Sequence, residues 1–130
     1  MEKYTYEQLL EIIAELRSDH GCPWDRAQTH ESMIKCMRDE CEEAIQAIQN
    51  KDDENLCEEL GDVFLQVLLH AQIAKEEGRF DMSDIIDGLT KKMIRRHPHV
   101  FGGAKAVATP EEGLANWEAI KEQEKAAKRK

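Results

Sequence analysis

Aromatic residues and long hydrophobic runs are scarce in this sequence. Phe, Trp and Tyr make up 5% of its 130 residues, so the core has to be built mainly from aliphatic side chains. No stretch approaches the roughly 18 consecutive apolar residues of a membrane span, and the start "MEKYTYEQLLEII" lacks the basic-then-apolar layout of a secretion signal. We therefore expect a cytoplasmic protein that does not associate with membranes.

Basic charge is also in short supply. The chain has 18 Lys and Arg against 27 Asp and Glu, which gives a net charge of -9. This balance repels phosphate backbones and anionic lipid, so a general nucleic-acid binder is excluded. A small anionic ligand is still compatible with it where a cation bridges carboxylates and phosphates, as magnesium does.

The cysteines form no C-x-x-C pair. There are four of them, at positions 22, 36, 41 and 57. A zinc site would need cysteines at C-x-x-C-like spacing, and a disulfide framework would need an oxidising compartment. Since neither condition is met, we expect these thiols to be reduced and free.

Hydrophobic periodicity and capping signals predict an all-α bundle of about five helices. The predicted helices lie at about 5–19, 31–50, 52–78, 81–97 and 109–120, and a frayed charged tail is predicted over about 121–130. The loop after the first helix contains Trp24, a large side chain that needs a pocket. Residues 1–130 are predicted to form a single domain, because the chain is long enough for one core and too short for two.

The third predicted helix has an unusually apolar segment. Between Val63 and Ala74 the sequence "VFLQVLLHAQIA" offers almost no polar face. A helix of this kind in a small protein has to be covered on several sides, which indicates a bundle and a partner subunit.

Two pairs of carboxylates stand out on the second and third predicted helices. Glu40 and Glu43 are three residues apart, as are Glu59 and Asp62, and residues at this spacing project from the same helix face. The pairs are symmetric about Lys51. If the two helices form an antiparallel hairpin that turns there, a rise of about 1.5 Å per residue brings all four carboxylates level.

Four facing carboxylates need a neutralising partner at neutral pH. An all-oxygen ligand set suits Mg²⁺, or Mn²⁺ in its place, and Mg²⁺ takes phosphate oxygens as further ligands, which indicates a phosphoryl hydrolase. The alternative is that these are solvated surface charges, which is the better interpretation of an isolated pair. The mirrored spacing favours the metal site, and so does Gly61, because glycine inside a helix often marks a close approach.

The acidic segments also carry a family resemblance. "DECEE" followed by "EELGD" resembles the metal motif of MazG-type nucleoside triphosphate pyrophosphohydrolases, E-E-x-x-E and then E-x-x-D, and the resemblance continues through "GCPWDRAQTH", "EEGRFD", "RRHPHVFGG" and "NWEAIKEQE". It implies an all-α, obligately multimeric enzyme, a homodimer or homotetramer whose active-site bundle is completed by oligomerisation. Such an enzyme splits nucleoside triphosphates, non-canonical ones included, into monophosphate and pyrophosphate with magnesium.

The resemblance implies roles for individual acidic positions. The implied metal ligands are Glu40, Glu43, Glu59 and Asp62. Asp39 occupies the place of the first glutamate of the motif, which is implied to orient or deprotonate the attacking water, and its side chain is one methylene shorter. Asn55 stands where some members have a lysine.

The family resemblance also implies a set of substrate contacts in the last third of the chain. Lys92 and Arg96 match basic residues that the family directs at the phosphates, and Arg95 adjoins them in "RRHPHVFGG". Trp117 and Lys121 match a late tryptophan and lysine of the active site. Catalytic roles are implied for Asp39 and for the cations at positions 92, 96 and 121.

Two rival functions are compatible with the same residues. One is a related pyrophosphohydrolase of narrower specificity, for dUTP or dCTP or for phosphoribosyl-ATP. The other is a non-catalytic helical dimer that binds a metal ion or a protein partner. His97 and His99 flank Pro98 and are compatible with a local metal site or proton shuttle, but a structural role in ending the helix is preferred, and His30 and His70 are assigned to packing or capping.

Overall fold

A computed structural model describes residues 2–129 of the chain, and the predicted all-α class is confirmed. Every regular element in that range is a helix: α1 (Tyr6–Leu16), α2 (Pro23–Ala27), α3 (Ile34–Gln49), α4 (Asp53–Glu76), α5 (Met82–Arg96), α6 (Pro98–Phe101) and α7 (Pro110–Arg129). The five long helices are the predicted ones. The short helices α2 and α6 are missed from sequence because neither is long enough to show a hydrophobic period, although each begins with a proline at its first position.

Backbone contacts divide the chain into two compact units, and the division falls between Met82 and Ser83 in the sequence. Each unit is described by itself. A single domain over residues 1–130 stays a prediction. None of the helices in the described range is long and apolar enough to cross a membrane.

In the first unit, α1 begins at the predicted capping box. The Thr5 hydroxyl accepts a hydrogen bond from the Gln8 backbone N–H, and the Gln8 side chain accepts one from the Thr5 N–H. The helix ends at Leu16 rather than near Asp19, because the chain turns back and the Cys22 N–H donates to the Leu16 carbonyl at 2.9 Å.

This turn requires glycine at position 21. A Cβ on Gly21 would lie 2.2 Å from the Glu15 carbonyl oxygen and 2.3 Å from that of Leu16. Any other residue would therefore force the end of α1 away from the loop that follows it.

Arg17 fastens that loop to the end of α4. Its side chain is 6% exposed, and its Nε and Nη2 donate to the Glu76 carboxylate at 2.8 and 3.0 Å. Its Nη1 donates to the backbone carbonyls of Asp25 and Gln28 at 2.6 and 3.1 Å. The prediction that Trp24 needs a pocket is wrong for this chain by itself: the loop is held through its backbone, and Trp24 is 74% exposed.

Helices α3 and α4 form the predicted hairpin. Lys51 makes the turn in the left-handed region, with φ of 53°, and the Asp52 carboxylate caps α4 by accepting from the Asn55 N–H. On α3, Ala44 and Ala47 are buried, the second completely. Because these side chains are small, the two helices can approach closely along this line.

The core of the first unit lies around the second half of α4. Its buried residues are Ile13, Met33, Leu68, Leu69 and Ile73. Coverage of the apolar α4 segment is incomplete, and large apolar side chains stay exposed on the hairpin: Ile34, Met37, Ile45, Ile48, Leu60 and Phe64.

In the second unit, Thr109 caps α7 as predicted. Its hydroxyl accepts from the Glu112 N–H at 3.2 Å, and the Glu112 carboxylate in turn accepts from the Ala108 N–H. The predicted fraying from about residue 121 is wrong, because the helix continues to Arg129. Ion pairs made by Glu122 and Glu124 supply the stabilisation that the apolar pattern lacks there.

Candidate metal centre

The four carboxylates of the mirrored pairs converge between α3 and α4. One oxygen of each lies within 4.8 Å of the corresponding oxygens of the other three. The members of this acidic cluster are Glu40, Glu43, Glu59 and Asp62. The predicted geometry, two pairs brought level by an antiparallel hairpin, is therefore present.

The acidic cluster lies on the same side of α3 as the residues that pack against α4. On α3, Glu40 and Glu43 precede the buried Ala44 and Ala47 at helical spacing, so all four residues share the side that faces α4. The spacing of the carboxylates leaves open how α3 is rotated about its own axis. The burial of Ala44 and Ala47 against α4 sets that rotation.

Two oxygens of the cluster have no hydrogen-bond partner. Oε2 of Glu40 and Oε2 of Glu59 are buried, and no described group donates to either. A buried acceptor without a donor is costly, and for a carboxylate the cost is larger. A divalent cation would satisfy both oxygens, and a set of four carboxylates suits a hard cation that prefers oxygen ligands.

The pKa values of two carboxyls in the cluster are raised, as expected when negative charges are crowded together and buried. A hydrogen bond shared with Glu43, burial and the surrounding negative charges raise the pKa of Glu59 to about 7. Burial, followed by repulsion from Glu43 and Asp62, also raises the pKa of Glu40. Without a cation the cluster therefore retains protons that a free carboxyl would lose well below neutral pH.

Gly61 does not mark a close approach by another part of the chain. A Cβ at this position would meet no atom within 4 Å. Gly61 therefore gives no support to the metal site. The case for that site depends on the four carboxylates alone.

Asp39 lies outside the cluster. Its carboxylate accepts from the Lys35 ammonium group at 2.7 Å, one helical turn earlier, and both side chains are exposed. Around the helix Asp39 points about 100° away from Glu40 but only about 40° from Glu43, so helical spacing alone does not exclude it, and in the structure it pairs with Lys35 instead. Lys35 was not singled out from sequence, although its i,i+4 spacing to Asp39 is a recognisable signal.

In the second unit the structure brings together three of the predicted substrate contacts. The guanidinium carbon of Arg96 lies 4.8 Å from the centre of the Trp117 ring, and both Arg95 and Arg96 donate to Glu124. Glu124 was missed, because a glutamate in a charged helix end looks like any solvated residue. The other two, Lys92 and Lys121, are half-buried.

A histidine pair in the first unit also escapes sequence reasoning. Nδ1 of His30 lies 2.6 Å from Nδ1 of His70 with the rings stacked, and Arg79 donates to Nε2 of His30. Since arginine only donates, His30 carries its proton on Nδ1 and passes the hydrogen bond to His70. Burial, with a smaller effect of His30, lowers the pKa of His70.

Comparison with known proteins identifies the family. Residues 28–101 match the MazG nucleotide pyrophosphohydrolase domain. The chain is 51% identical over 124 residues to a protein of Thermotoga maritima named nucleoside triphosphate pyrophosphohydrolase/pyrophosphatase MazG, covering 95% of this chain and 47% of that protein. It is 44% identical over 123 residues to the nucleoside triphosphate pyrophosphohydrolase of Escherichia coli K12, covering 94% and 46%.

A solved structure supports the same relationship. The crystal structure of a mazG-related protein from Thermotoga maritima matches with a TM-score of 0.71 and 32% identity, over 89% of this chain and 98% of that one. The chain spans about half the length of the two curated relatives named above. It belongs to the MazG nucleotide pyrophosphohydrolase domain family.

Proposed function

We propose that this chain is a Mg²⁺-dependent nucleoside triphosphate pyrophosphohydrolase of the cytoplasm, with Mn²⁺ as a possible substitute ion. The convergence of four carboxylates, two of them with orphaned buried oxygens, is the observation that carries the proposal. The names of the relatives that match nearly the whole chain support the reaction class.

In the proposed reaction, water attacks the α-phosphorus in line with the bond to the β-phosphate. A new P–O bond forms, the α–β phosphoanhydride bond breaks, the water's proton is released, and pyrophosphate leaves with the bonding electrons. The divalent ion, when bound, offsets charge on the phosphates and lowers the pKa of water. The acidic cluster holds that ion.

The remaining site residues are assigned by chemistry. Asp39 orients the attacking water, and its ion pair with Lys35 has to open or rearrange for it to do so. The phosphate charge is offset by Lys92, Arg96 and Lys121, because arginine binds two oxygens at once and lysine acts as a point charge. Arg95 and Trp117 complete the substrate contacts.

We also propose that the chain acts as a homodimer or homotetramer. The exposed apolar side chains of the α3–α4 hairpin support this, since a patch of this kind is unfavourable in water. Light scattering of the purified chain tests it, and a monomer at micromolar concentration would contradict it.

Product analysis is the direct test of the reaction. The protein is incubated with canonical and altered nucleoside triphosphates, with Mg²⁺ and then with a chelator, and monophosphate and pyrophosphate are quantified. The panel also includes dUTP, dCTP and phosphoribosyl-ATP, which identifies an enzyme of narrow specificity.

Two neighbouring variants make the test specific to the acidic cluster. Glu43→Gln removes a cluster carboxylate and should abolish turnover, whereas Glu42→Gln changes the same charge one residue away and should not. Release of orthophosphate, or full activity of Glu43→Gln, would contradict the scheme. The non-catalytic alternative is favoured by the Asp39–Lys35 ion pair, and metal-dependent nucleotide binding without any product would support it.

A further inference from the structure

Glu124 is bound by two arginines at once. Nη2 of Arg95 donates to Oε1 of Glu124 at 2.8 Å, and Nε of Arg96 donates to Oε2 at 3.0 Å. The Glu124 side chain is only 19% exposed. The hydrogen bonds from the two guanidinium groups lower the pKa of Glu124 to about 2, so it is charged at any assay pH.

Arg96 is held on two sides. Its Nε donates to Glu124, and its guanidinium carbon lies over the Trp117 ring, 4.8 Å from the ring centre. The edge formed by the two terminal nitrogens can bind two phosphate oxygens in parallel. Its contact with Glu124 runs through Nε, so this edge is not committed to Glu124.

We propose that Glu124 is a positioning residue, which orients Arg96 against Trp117 so that its terminal nitrogens are presented to a polyphosphate. The inference rests on the proposed function insofar as the polyphosphate is that of a nucleoside triphosphate. Glu124 does not contact the substrate in this scheme and acts through Arg96.

The advantage lies in preorganisation. A free arginine side chain samples many rotamers and loses that freedom when it binds. Arg96 has already lost it, since its side chain is 16% exposed and fixed by an ion pair and a ring. One carboxylate between two guanidinium groups also leaves a net positive charge for the ligand.

Glu124→Gln is expected to weaken polyphosphate binding, although its change of charge alone would strengthen it. Glu124→Gln removes one negative charge, which by electrostatics alone strengthens anion binding. Glu122→Gln, on the same helix, makes the same change and removes only a weak ion pair to Lys125 at 3.7 Å. A loss of binding confined to Glu124→Gln therefore reports the positioning role.

Binding of inorganic tripolyphosphate in the absence of metal is measured by calorimetry, together with the kinetics of nucleotide hydrolysis. For Glu124→Gln we expect an affinity for tripolyphosphate about three- to tenfold weaker and a KM raised by a similar factor, with kcat little changed. Glu122→Gln should match or slightly exceed the wild-type affinity. Tighter or unchanged binding by Glu124→Gln would overturn the inference, as would a loss equal in both variants.

A double-mutant cycle identifies the residue through which Glu124 acts. The effects of Glu124→Gln and Arg96→Gln should be strongly non-additive, whereas those of Glu124→Gln and Lys92→Gln should add. Additivity with Arg96→Gln would refute the inference. Glu124→Asp keeps the charge and withdraws the carboxylate by one methylene, so it should give a smaller loss and serves as the test if Glu124→Gln does not fold.

The binding measurement separates this inference from the proposed reaction. If the wild-type chain binds tripolyphosphate in an Arg96-dependent way yet hydrolyses no nucleotide, the proposed reaction fails and the role of Glu124 is still decided by the variants. If the wild-type chain binds no tripolyphosphate, the inference fails whatever the hydrolysis assay shows.

Discussion

Removal of Arg17 should destabilise the first unit more than any single change at its surface. Arg17→Met keeps the length of the apolar stem but removes the guanidinium group that joins the loop carbonyls of Asp25 and Gln28 to Glu76. A buried hydrogen bond from a charged group contributes about 1.5 to 3 kcal/mol. Two such bonds to carbonyls, with partial access of water after the change, correspond to about 3 to 4 kcal/mol.

The ion pair with Glu76 adds less. The Glu76 side chain is 36% exposed, so solvent screening reduces its contribution to about 1 kcal/mol. We therefore expect Arg17→Met to lower the free energy of unfolding by about 4 to 5 kcal/mol and Glu76→Gln by about 1 kcal/mol. Arg38→Met, at an exposed position on α3, should stay within about 0.5 kcal/mol of the wild type.

The contribution of Glu76 should also depend on pH. The hydrogen bond from Arg17 lowers the pKa of Glu76 below its ordinary value of 4.5. The folded-state pKa is thus below the unfolded one, so the stabilisation is complete above the unfolded pKa and disappears as the pH falls through the folded pKa. The difference between wild type and Glu76→Gln should therefore vanish in acid.

Urea unfolding followed by circular dichroism at neutral pH and in a descending pH series measures these differences. Stability of Arg17→Met within about 0.5 kcal/mol of the wild type would refute the role assigned to Arg17. A larger loss in Glu76→Gln than in Arg17→Met would refute the ranking of the two contributions.

Three further predictions concern the hairpin. Millimolar Mg²⁺ should raise the melting temperature of the wild type and of Glu58→Gln but not of Glu59→Gln, and equal shifts would place the ion elsewhere. Without metal, the free energy of unfolding of the wild type should fall as the pH rises from the ordinary carboxyl pKa of 4.5 through the folded-state pKa of Glu59 of about 7. Glu59→Gln should reduce this slope to the part contributed by Glu40, and an undiminished slope would contradict the prediction. Ala47→Leu should cost about 1 to 3 kcal/mol by overpacking, against almost nothing for Leu at the exposed Ala27, and a tolerated Ala47→Leu would disprove close helix contact.

The helices that sequence reasoning recovers are those with a long period and a chemical start signal. Thr5, Asp52 and Thr109 each cap a helix that the pattern places correctly. It fails where the signal is short or absent: α2 and α6 have too few residues for a period, and the end of α7 is held by ion pairs that leave no apolar pattern.

The acidic cluster is predictable from sequence because its ingredients are local. Two i,i+3 pairs, equal distances from one turn, and an antiparallel pairing of neighbouring helices place Glu40, Glu43, Glu59 and Asp62 together. The same spacing does not exclude Asp39, which lies four residues before Glu43, so only the structure, in which Asp39 pairs with Lys35, places it outside the cluster.

By itself, the sequence determined the helical class, the hairpin about Lys51, and the four carboxylates that meet across it, because periodicity, caps and residue spacing act over a few turns. Only the tertiary structure decided that Arg17 holds Glu76, that His30 meets His70, and that Glu124 binds two arginines. Those partners lie 28 to 59 residues apart. Their contacts depend on how helices rotate and loops close, and no local pattern encodes either.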